Sequence, residues 1–591
     1  MKMFFQKLGR MPTVLTMPAF AVLLVVFGMP IILLFLSSLN APVFSLVNYQ
    51  AFFGQPANIR VLYQTAEISA VATAICLVIG YPAAYLMVAA SKRLRTTLIV
   101  LVIIPYLTSG LVRTYAWVVI LGDRGLINNL LLDLGLISSP LPLIYSRIAL
   151  YIGMVHIMLP LMILPLISVM MGIDRSLMAA GRSMGARPFD TFWRIFFPLS
   201  IPGVRSGCLL VFVICLGFYI TPAALGGIGD AMLSTFIASQ VQTSFNMARV
   251  SAAAFVLLGL AVVVLSIFGL DLSGTQGRTA QSTRNSWRSR PFDLMKRRVS
   301  ELLTPLRAKR WKAQLYRAGS DSRWSNIVGT VFVVLVMFYL LLPELLVVIM
   351  SFSAGSFLEF PPPGLSLQWY RSFFGDPSWY DAAWISIKIG VVVAILSTIV
   401  GTLAAYGINR TLPRLRSFLT LVILTPITFP VIVVGIAAYL GLLKLGLLGS
   451  MTGIVLAHSI GAIGYVVVIV AATLANFDPR LEQAAKSMRA GPLQTFVRVT
   501  LPLIRPGIIG GAVFAFLSSF DEIVVTSLVG GLAIRTLPLK MWEGIRHQID
   551  PTIAAVASLM ILVPVFGLIV LYLSGLRPSP AGKRALPDVA A

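Results

Sequence analysis

The sequence predicts an all-α polytopic membrane protein, and three observations lead there. Of its 591 residues 58% are hydrophobic and only 11% charged, whereas a soluble domain carries roughly a quarter of its residues as charges. Apolar runs such as 13–39 and 327–352 exceed the ~20 residues that a spanning helix requires. Lysine and arginine gather in alternate connections between such runs, the bias that marks the cytoplasmic side. The formal net charge of +25 therefore reports orientation in a bilayer and not a nucleic-acid partner.

Taken in order, the apolar runs predict about twelve transmembrane helices. They centre near 13–38, 63–89, 98–120, 146–170, 201–225 and 248–270, then near 326–352, 381–407, 417–442, 451–475, 508–530 and 551–575. The first run is longer than the roughly 7–15 apolar residues of a cleaved signal and lacks a convincing cleavage site, so it reads as a retained helix. Basic clusters at Lys2, Lys7 and Arg10, at Lys92, Arg93 and Arg95, and at Arg577, Lys583 and Arg584 place both termini in the cytoplasm.

Chemistry-bearing motifs are few. Cys76, Cys208 and Cys215 fall inside apolar runs, without CxxC spacing or a Cys/His cluster, so neither a disulfide frame nor zinc is expected. His156, His458 and His547 lack ligand spacing and read as local hydrogen-bonding residues; no metal site is expected. No GxxxxGK[ST] pattern occurs, so any ATP hydrolysis belongs to another polypeptide.

The chain divides into two halves. A first six-span half (1–270) is followed by a basic, Ser- and Arg-rich connector (271–326), a second six-span half (327–575) and a tail (576–591). The connector reads as solvated, with a short amphipathic helix around 292–316 on anionic headgroups. Six spans before it start the second half on the same side as the first, so the halves are parallel repeats about an axis along the membrane normal. "VIGYPAAYLM" (78–87) answers "IVGTLAAYGI" (399–408). A longer ungapped repeat pairs "DRSLMAAGRSMGARPFDTFWRIFFPLSIPG" from Asp174 with "DPRLEQAAKSMRAGPLQTFVRVTLPLIRPG" from Asp478. Each copy opens with a carboxylate at a helix N-terminus, runs two helical turns, breaks at "GARP" or "RAGP", and resumes as an aromatic and Arg-bearing helix. A short helix held at an angle beneath the spans is a rigid peg, suited to a two-fold partner below the membrane.

These paired segments resemble the EAA loop of bacterial ABC importer permeases, and nearly the whole chain resembles the spermidine/putrescine-type members. "IPYLTSGLVRTYAWVVILGDRGLINNLL" (104–131) is similar to the first permease of such systems. "FLSSFDEIVVTSLVGG" with "TLPLKMW" (516–542) is similar to the second. The resemblance implies a type I ABC importer permease fold with two fused, pseudo-symmetric halves in a bacterial cytoplasmic (inner) membrane. It implies an ATP-binding cassette ATPase dimer and an external solute-binding protein as partners, with ATP and Mg held by the ATPase and no cofactor in this chain. ATPase coupling would fall to Ala179, Ala180, Gly185 and Ala186 in the first loop and to Gln483, Ala484, Arg489 and Ala490 in the second. Ala179 and Gln483 stand where the family pattern has Glu, and Arg489 where it has Gly; Gly491 is expected to restore the turn, and Glu482 to act as a surrogate acid.

Polar groups inside the spans mark the expected solute pathway, because a charge at the bilayer centre costs about 2.5–3.5 kcal/mol or more. Arg113 is surrounded in sequence by Tyr106, Thr108, Ser109, Tyr115 and Trp117; Tyr219 and Thr221 flank a break at Pro222; Ser519 precedes the acidic pair Asp521 and Glu522. The family's acids near Thr221 and at Val431 are missing, so a polyamine-like amine, an amino-acid derivative and an organophosphonate all remain expected solutes. Glu67 and Lys388 occupy matching places and are expected to pair or to snorkel singly. A ferric-iron-type fused permease and a twelve-helix ion-coupled secondary transporter are the alternatives; the latter needs ion-coupling groups that are scarce here.

Overall fold

A computed structural model describes residues 12–243, 246–268, 323–357, 359–531, 533–547 and 551–575. Residues 271–322 of the connector, including the amphipathic stretch, and the tail from 576 lie outside the described residues. In chain order the first half contributes α1 (Thr13–Ser38), α2 (Pro56–Ala89), α3 (Lys92–Leu107), α4 (Gly110–Leu121), α5 (Arg147–Met171), α6 (Arg175–Ser183), α7 (Pro188–Leu216), α8 (Ile220–Leu225) and α9 (Met247–Phe268). The second half contributes α10 (Arg323–Met350), α11 (Pro377–Asn409), α12 (Pro413–Thr428), α13 (Val431–Lys444), α14 (Met451–Ala475), α15 (Arg480–Ser487), α16 (Pro492–Phe520), α17 (Val524–Val529) and α18 (Thr552–Gly575). Short helices connect them, and among the described residues the only extended pairing is an isolated bridge between Ser353 and Leu365.

Among the described residues nine helices are long and apolar enough to cross a membrane, and two further candidates are bent pairs. With α18 these account for the twelve apolar segments, but four segments depart from the expected straight spans. The chain bends by 91° between α3 and the helix from Gly110, and by 99° between α12 and α13. The expected spans at 98–120 and 417–442 are thus broken. Sixteen residues in α3 rise only about 24 Å. The backbone then turns extended at Thr108 and Ser109, whose hydroxyl accepts from the Leu111 and Val112 amides as a helix cap. In the second half Pro430 stands at the same break, contributing no amide that would need a partner. The fifth and eleventh segments also stop early, at Leu216 and Phe520, before the short helices α8 and α17; the break expected in the fifth at Pro222 falls instead at 217–219, and Pro222 sits inside α8. Apolar content alone does not register such breaks.

Each half builds the same three-helix core, α2 with α5 and α7, and α11 with α14 and α16. The first helix of each half crosses to the other: Ala19, Leu23, Val26 and Phe27 of α1 are buried with Ile389 and Val393 of α11. Val336, Met337 and Leu340 of α10 are buried with Ile68 and Ala72 of α2. A further cluster joins the halves through α4, α8, α9 and α13.

The two broken segments meet the ends of α7 and α16 at the centre. A Cβ on Gly217, just after α7, would stand 3.0 Å from the Cα of Pro430, tighter than nearly all side-chain contacts and against backbone that yields little. Gly217→Ala is therefore expected to lower the thermal midpoint of the solubilised protein, at a cost of about 1–3 kcal/mol. Gly461→Ala, whose new Cβ meets nothing within 4 Å, serves as the control and is expected to leave the midpoint unchanged or higher.

Candidate functional site

The second crossing is polar. Asp521 follows α16 as Gly217 follows α7 in the repeat alignment. Its carboxylate accepts hydrogen bonds from the Ser109 hydroxyl and, at 3.1 Å, from the Gly110 amide. An acid of the second half thus satisfies the exposed amide end of a broken helix in the first, where the positive end of the helix dipole favours it. Glu522 accepts from the Val525 amide at 2.9 Å and starts α17. His458 bridges this break, with Nδ1 2.9 Å from Ser519 Oγ and Nε2 2.9 Å from Thr526 Oγ1.

A cavity of about 920 Å³ opens beside this crossing. Tyr106, Thr108, Ser109, Arg113, Asp521 and Glu522 line it, joined by Tyr380, Trp384, Tyr465, Phe516, Ser518 and Phe520. The remaining residues expected on the pathway are packed elsewhere. Tyr115 is fully buried in the inter-half core, because neighbouring helical positions point to different faces. Trp117 packs against His156 and Tyr339 at ring distances of 5.7 and 5.6 Å. Tyr219 meets Trp542 at 5.7 Å, Thr221 hydrogen-bonds Thr114 at 2.9 Å, and Ser519 is held by His458.

Sequence reading passed over Glu344. It lies in α10, buried, and neither carboxylate oxygen has a hydrogen-bond partner. Arg113 is buried too, donates to the Ile157 carbonyl at 3.4 Å, and feels the charges of Glu344 and Asp521. One cation of the first half thus faces carboxylates of the second. The signal was available: Glu344 is a lone acid in an apolar run, directly after Pro343. Glu67 and Lys388 are not partners. Arg147 pairs with Glu67 at 3.1 Å and Asp230 at 2.8 Å, while Lys388 lies 5.2 Å over the Trp384 ring.

The repeated loops form α6 and α15, each resting on the end of the long helix of its own half. Asp174 and Asp478 accept from the Ser176 and Arg480 amides, both at 2.9 Å. Tyr85 packs on Phe192, and Tyr406 on Phe496, at ring distances of 5.3 and 4.7 Å. Ala179, Ala180, Gln483 and Ala484 are exposed. Gly185 takes the left-handed conformation with φ +81°, and in the second copy Arg489 does so itself with φ +64°. Gly491, at φ −68°, does not make that turn, so the expected restoration by glycine does not occur; the strain of about 1–2 kcal/mol is carried by Arg489. Glu482 is no exposed surrogate acid either. It is buried and bonded to Arg410 and Thr500, with Arg410 stacked 3.4 Å over Tyr406.

Sequence reading also missed a paired apolar surface. Leu177 and Leu481, Met184 and Met488, Phe189 and Leu493, and Trp193 and Val497 are matched positions of the two loops, and all eight are exposed. Met184 and Met488 at the tips are 81% and 78% exposed.

Two parallel helical halves, a broken-helix crossing between them and a repeated peg on each define a membrane-transport core. The chain belongs to the family of binding-protein-dependent transport system inner membrane components, whose pattern it carries twice, at residues 76–272 and 397–576. It is therefore a fused, multi-pass inner-membrane transport permease. It is 36% identical over 221 residues to the spermidine/putrescine transport system permease protein PotB of Haemophilus influenzae, covering 37% of this chain and 77% of that protein. It is 32% identical over 260 residues to the putrescine transport system permease protein PotI of Escherichia coli, covering 42% and 90%. Among solved structures, a chain of a bacterial alginate ABC transporter, in complex with an alginate pentasaccharide-bound periplasmic protein, aligns over 43% of this chain and 90% of its own. The TM-score is 0.36 and the identity 18%.

Two measurements test the local chemistry. A Ser109→Ala and Asp521→Ala double-mutant cycle, read by titrated unfolding, is expected to show a coupling of about 1–3 kcal/mol. At Glu482 burial pushes the carboxyl up, but the bonds from Arg410 and Thr500 and the charges of Arg410 and Lys486 together hold it below its ordinary value. A lowered folded-state value stabilises the fold above the unfolded value, and that contribution disappears as pH falls through the folded one. The difference in thermal midpoint between wild type and Glu482→Gln is thus expected to stay constant from neutral pH down to about pH 5 and to shrink below about pH 4.

Proposed function

We propose that this permease imports an organic amine, driven by an ATPase dimer that docks on the two repeated loops. The observation that carries the coupling is the matched exposed apolar set on α6, α15 and the helices that follow. Large apolar side chains repeated at pseudo-equivalent, solvent-facing positions mark an interface, and a two-fold arrangement calls for a two-fold partner. Ala179 and Ala180 on α6, with Gln483 and Ala484 on α15, lie exposed between these anchors, and Gly185 and Ala186, with Arg489 and Ala490, form the turns that follow the two helices. Both termini and both loops face the cytoplasm, and the solute arrives from the other side on an external binding protein. ATP and Mg are the partner's.

The solute reading is supported by the cavity. Asp521 and Glu522 give it two carboxylates, while Tyr106, Tyr380, Trp384, Tyr465 and Phe516 give it aromatic faces that attract a cation. Spermidine/putrescine and putrescine permeases among the relatives point the same way. Arg113 favours a second reading, an amine that also bears an acidic group, such as an amino-acid derivative.

Reconstitution with its ATPase and binding protein tests the proposal. Ala180→Glu with Ala484→Glu is expected to cut ATP-dependent uptake by at least about tenfold, the effect of losing 1.4 kcal/mol at an interface, with normal membrane insertion. Uptake retained in that variant, or uptake by the permease without any ATPase, would refute the coupling.

A further inference from the structure

We propose that the crevice beside the first repeated loop binds the phosphate headgroup of an anionic phospholipid. Two cavities, of about 430 and 530 Å³, share Val88, Ala89, Met170, Ile173 and Arg175, and so form one crevice between the ends of α2 and α5 and the start of α6. Four cations lie along it, Lys92, Arg95, Arg175 and Arg182, and no acidic residue lines it. Arg95 and Arg175 both donate to the Val88 carbonyl, which fixes their guanidinium groups at the mouth. None of the four takes part in an ion pair among the described residues. The nearest acid in sequence, Asp174, spends its carboxylate on the Ser176 amide.

The second half shows what belongs in this place. Arg410, Glu482 and Thr500 form the buried clamp there. In the repeat alignment their counterparts are Ala89, Met178 and Phe196, which line the crevice. Where the second half supplies its own anion, the first has a cavity lined by four cations without a carboxylate partner among the described residues and by apolar side chains. An incoming ligand must bring negative charge and tolerate Met170, Ile173, Met178 and Phe196. Free phosphate meets the first demand only; an anionic lipid, with its headgroup at the rim and its glycerol and acyl carbons on the floor, meets both. The chain's own connector carries many more basic than acidic residues, so its net charge is repelled by these cations. The inference rests on the cytoplasmic orientation proposed above, but its test requires neither transport nor the ATPase.

Native mass spectrometry of the full chain, titrated with phosphatidylglycerol, phosphatidylcholine or inorganic phosphate, decides the matter. Wild type is expected to retain phosphatidylglycerol at least about tenfold better than phosphatidylcholine. Arg95→Ala with Arg175→Ala is expected to abolish that preference. Met178→Glu, which supplies the missing carboxylate while keeping all four cations, is expected to abolish it as well, at an unchanged thermal midpoint. Undiminished phosphatidylglycerol retention in both variants overturns the proposal, as does displacement of the lipid by equimolar inorganic phosphate. Loss of ATPase binding by the double variant, with lipid retention unchanged, also overturns it and assigns the crevice to the ATPase.

Discussion

A helix broken inside a membrane leaves amides and carbonyls that lipid cannot satisfy, and the protein's centre is organised around that constraint. Two such breaks, before α4 and before α13, each meet the end of a helix from the opposite half. At the first, Ser109 caps from within and Asp521 from the other half. At the second, proline stands at the break and Gly217 lets the opposite backbone approach. Both solutions require the halves to be in register, so satisfying the backbone and assembling the two halves are one event. A chain that failed to dock its halves would expose the amide end of α4 to hydrocarbon.

The same comparison explains why a two-fold scaffold carries a one-sided site. Where the second half places Asp521, the first places Gly217, and so the cavity's carboxylates come from the second half while Arg113 and the capped amides come from the first. At the loops the polar clamp of Arg410, Glu482 and Thr500 again belongs to the second half, against apolar residues in the first. Separate permeases that come together as a pair can diverge in this manner, and fusion into one chain guarantees that each assembly contains one of each.

Much of this architecture was legible in the sequence. Apolar length and alternate basic loops gave the helical membrane class, and the ungapped repeat gave the two halves, because helix length, charge placement and duplication are all written linearly. Apart from the interruption of the fifth segment, read at Pro222 and found a few residues earlier, the bends were not legible. Pro430 is visible, but Pro82, Pro160 and Pro165 sit inside continuous helices, so proline alone does not mark a break; what breaks the chain is a partner across the interface. Tyr115 and Trp117 read as pathway residues by proximity to Arg113, whereas helical geometry turns them into the core. Glu482 read as a surrogate for the family's loop acid because its actual partner, Arg410, is distant in sequence. Nothing in the sequence alone separates the methionines at the loop tips, Met184 and Met488, from buried ones; their exposure does.

The connection between loop and cavity follows from one helix in each half. Helices α7 and α16 each contain 29 residues, a rise of about 43 Å. Each begins at a peg, at Pro188 or Pro492, and ends at the central crossing, beside Gly217 or Asp521. Each also holds a π-helical turn at the same matched place, Phe192–Phe196 and Phe496–Thr500, a local widening that concentrates adjustment near the peg. Thr500, the last residue of that turn in the second half, is one of the groups that Glu482 grips. A displacement of α15 is therefore applied directly to the base of α16, and the far end of α16 carries the carboxylate that caps α4. The first half lacks that clamp, and the base of α7 is held there by α2, whose Tyr85 ring packs on Phe192 and Phe196. The two pegs are thus tied to the membrane core differently, by a charged, hydrogen-bonded clamp in the second half and by apolar packing in the first, and the clamped half is the one that holds Asp521.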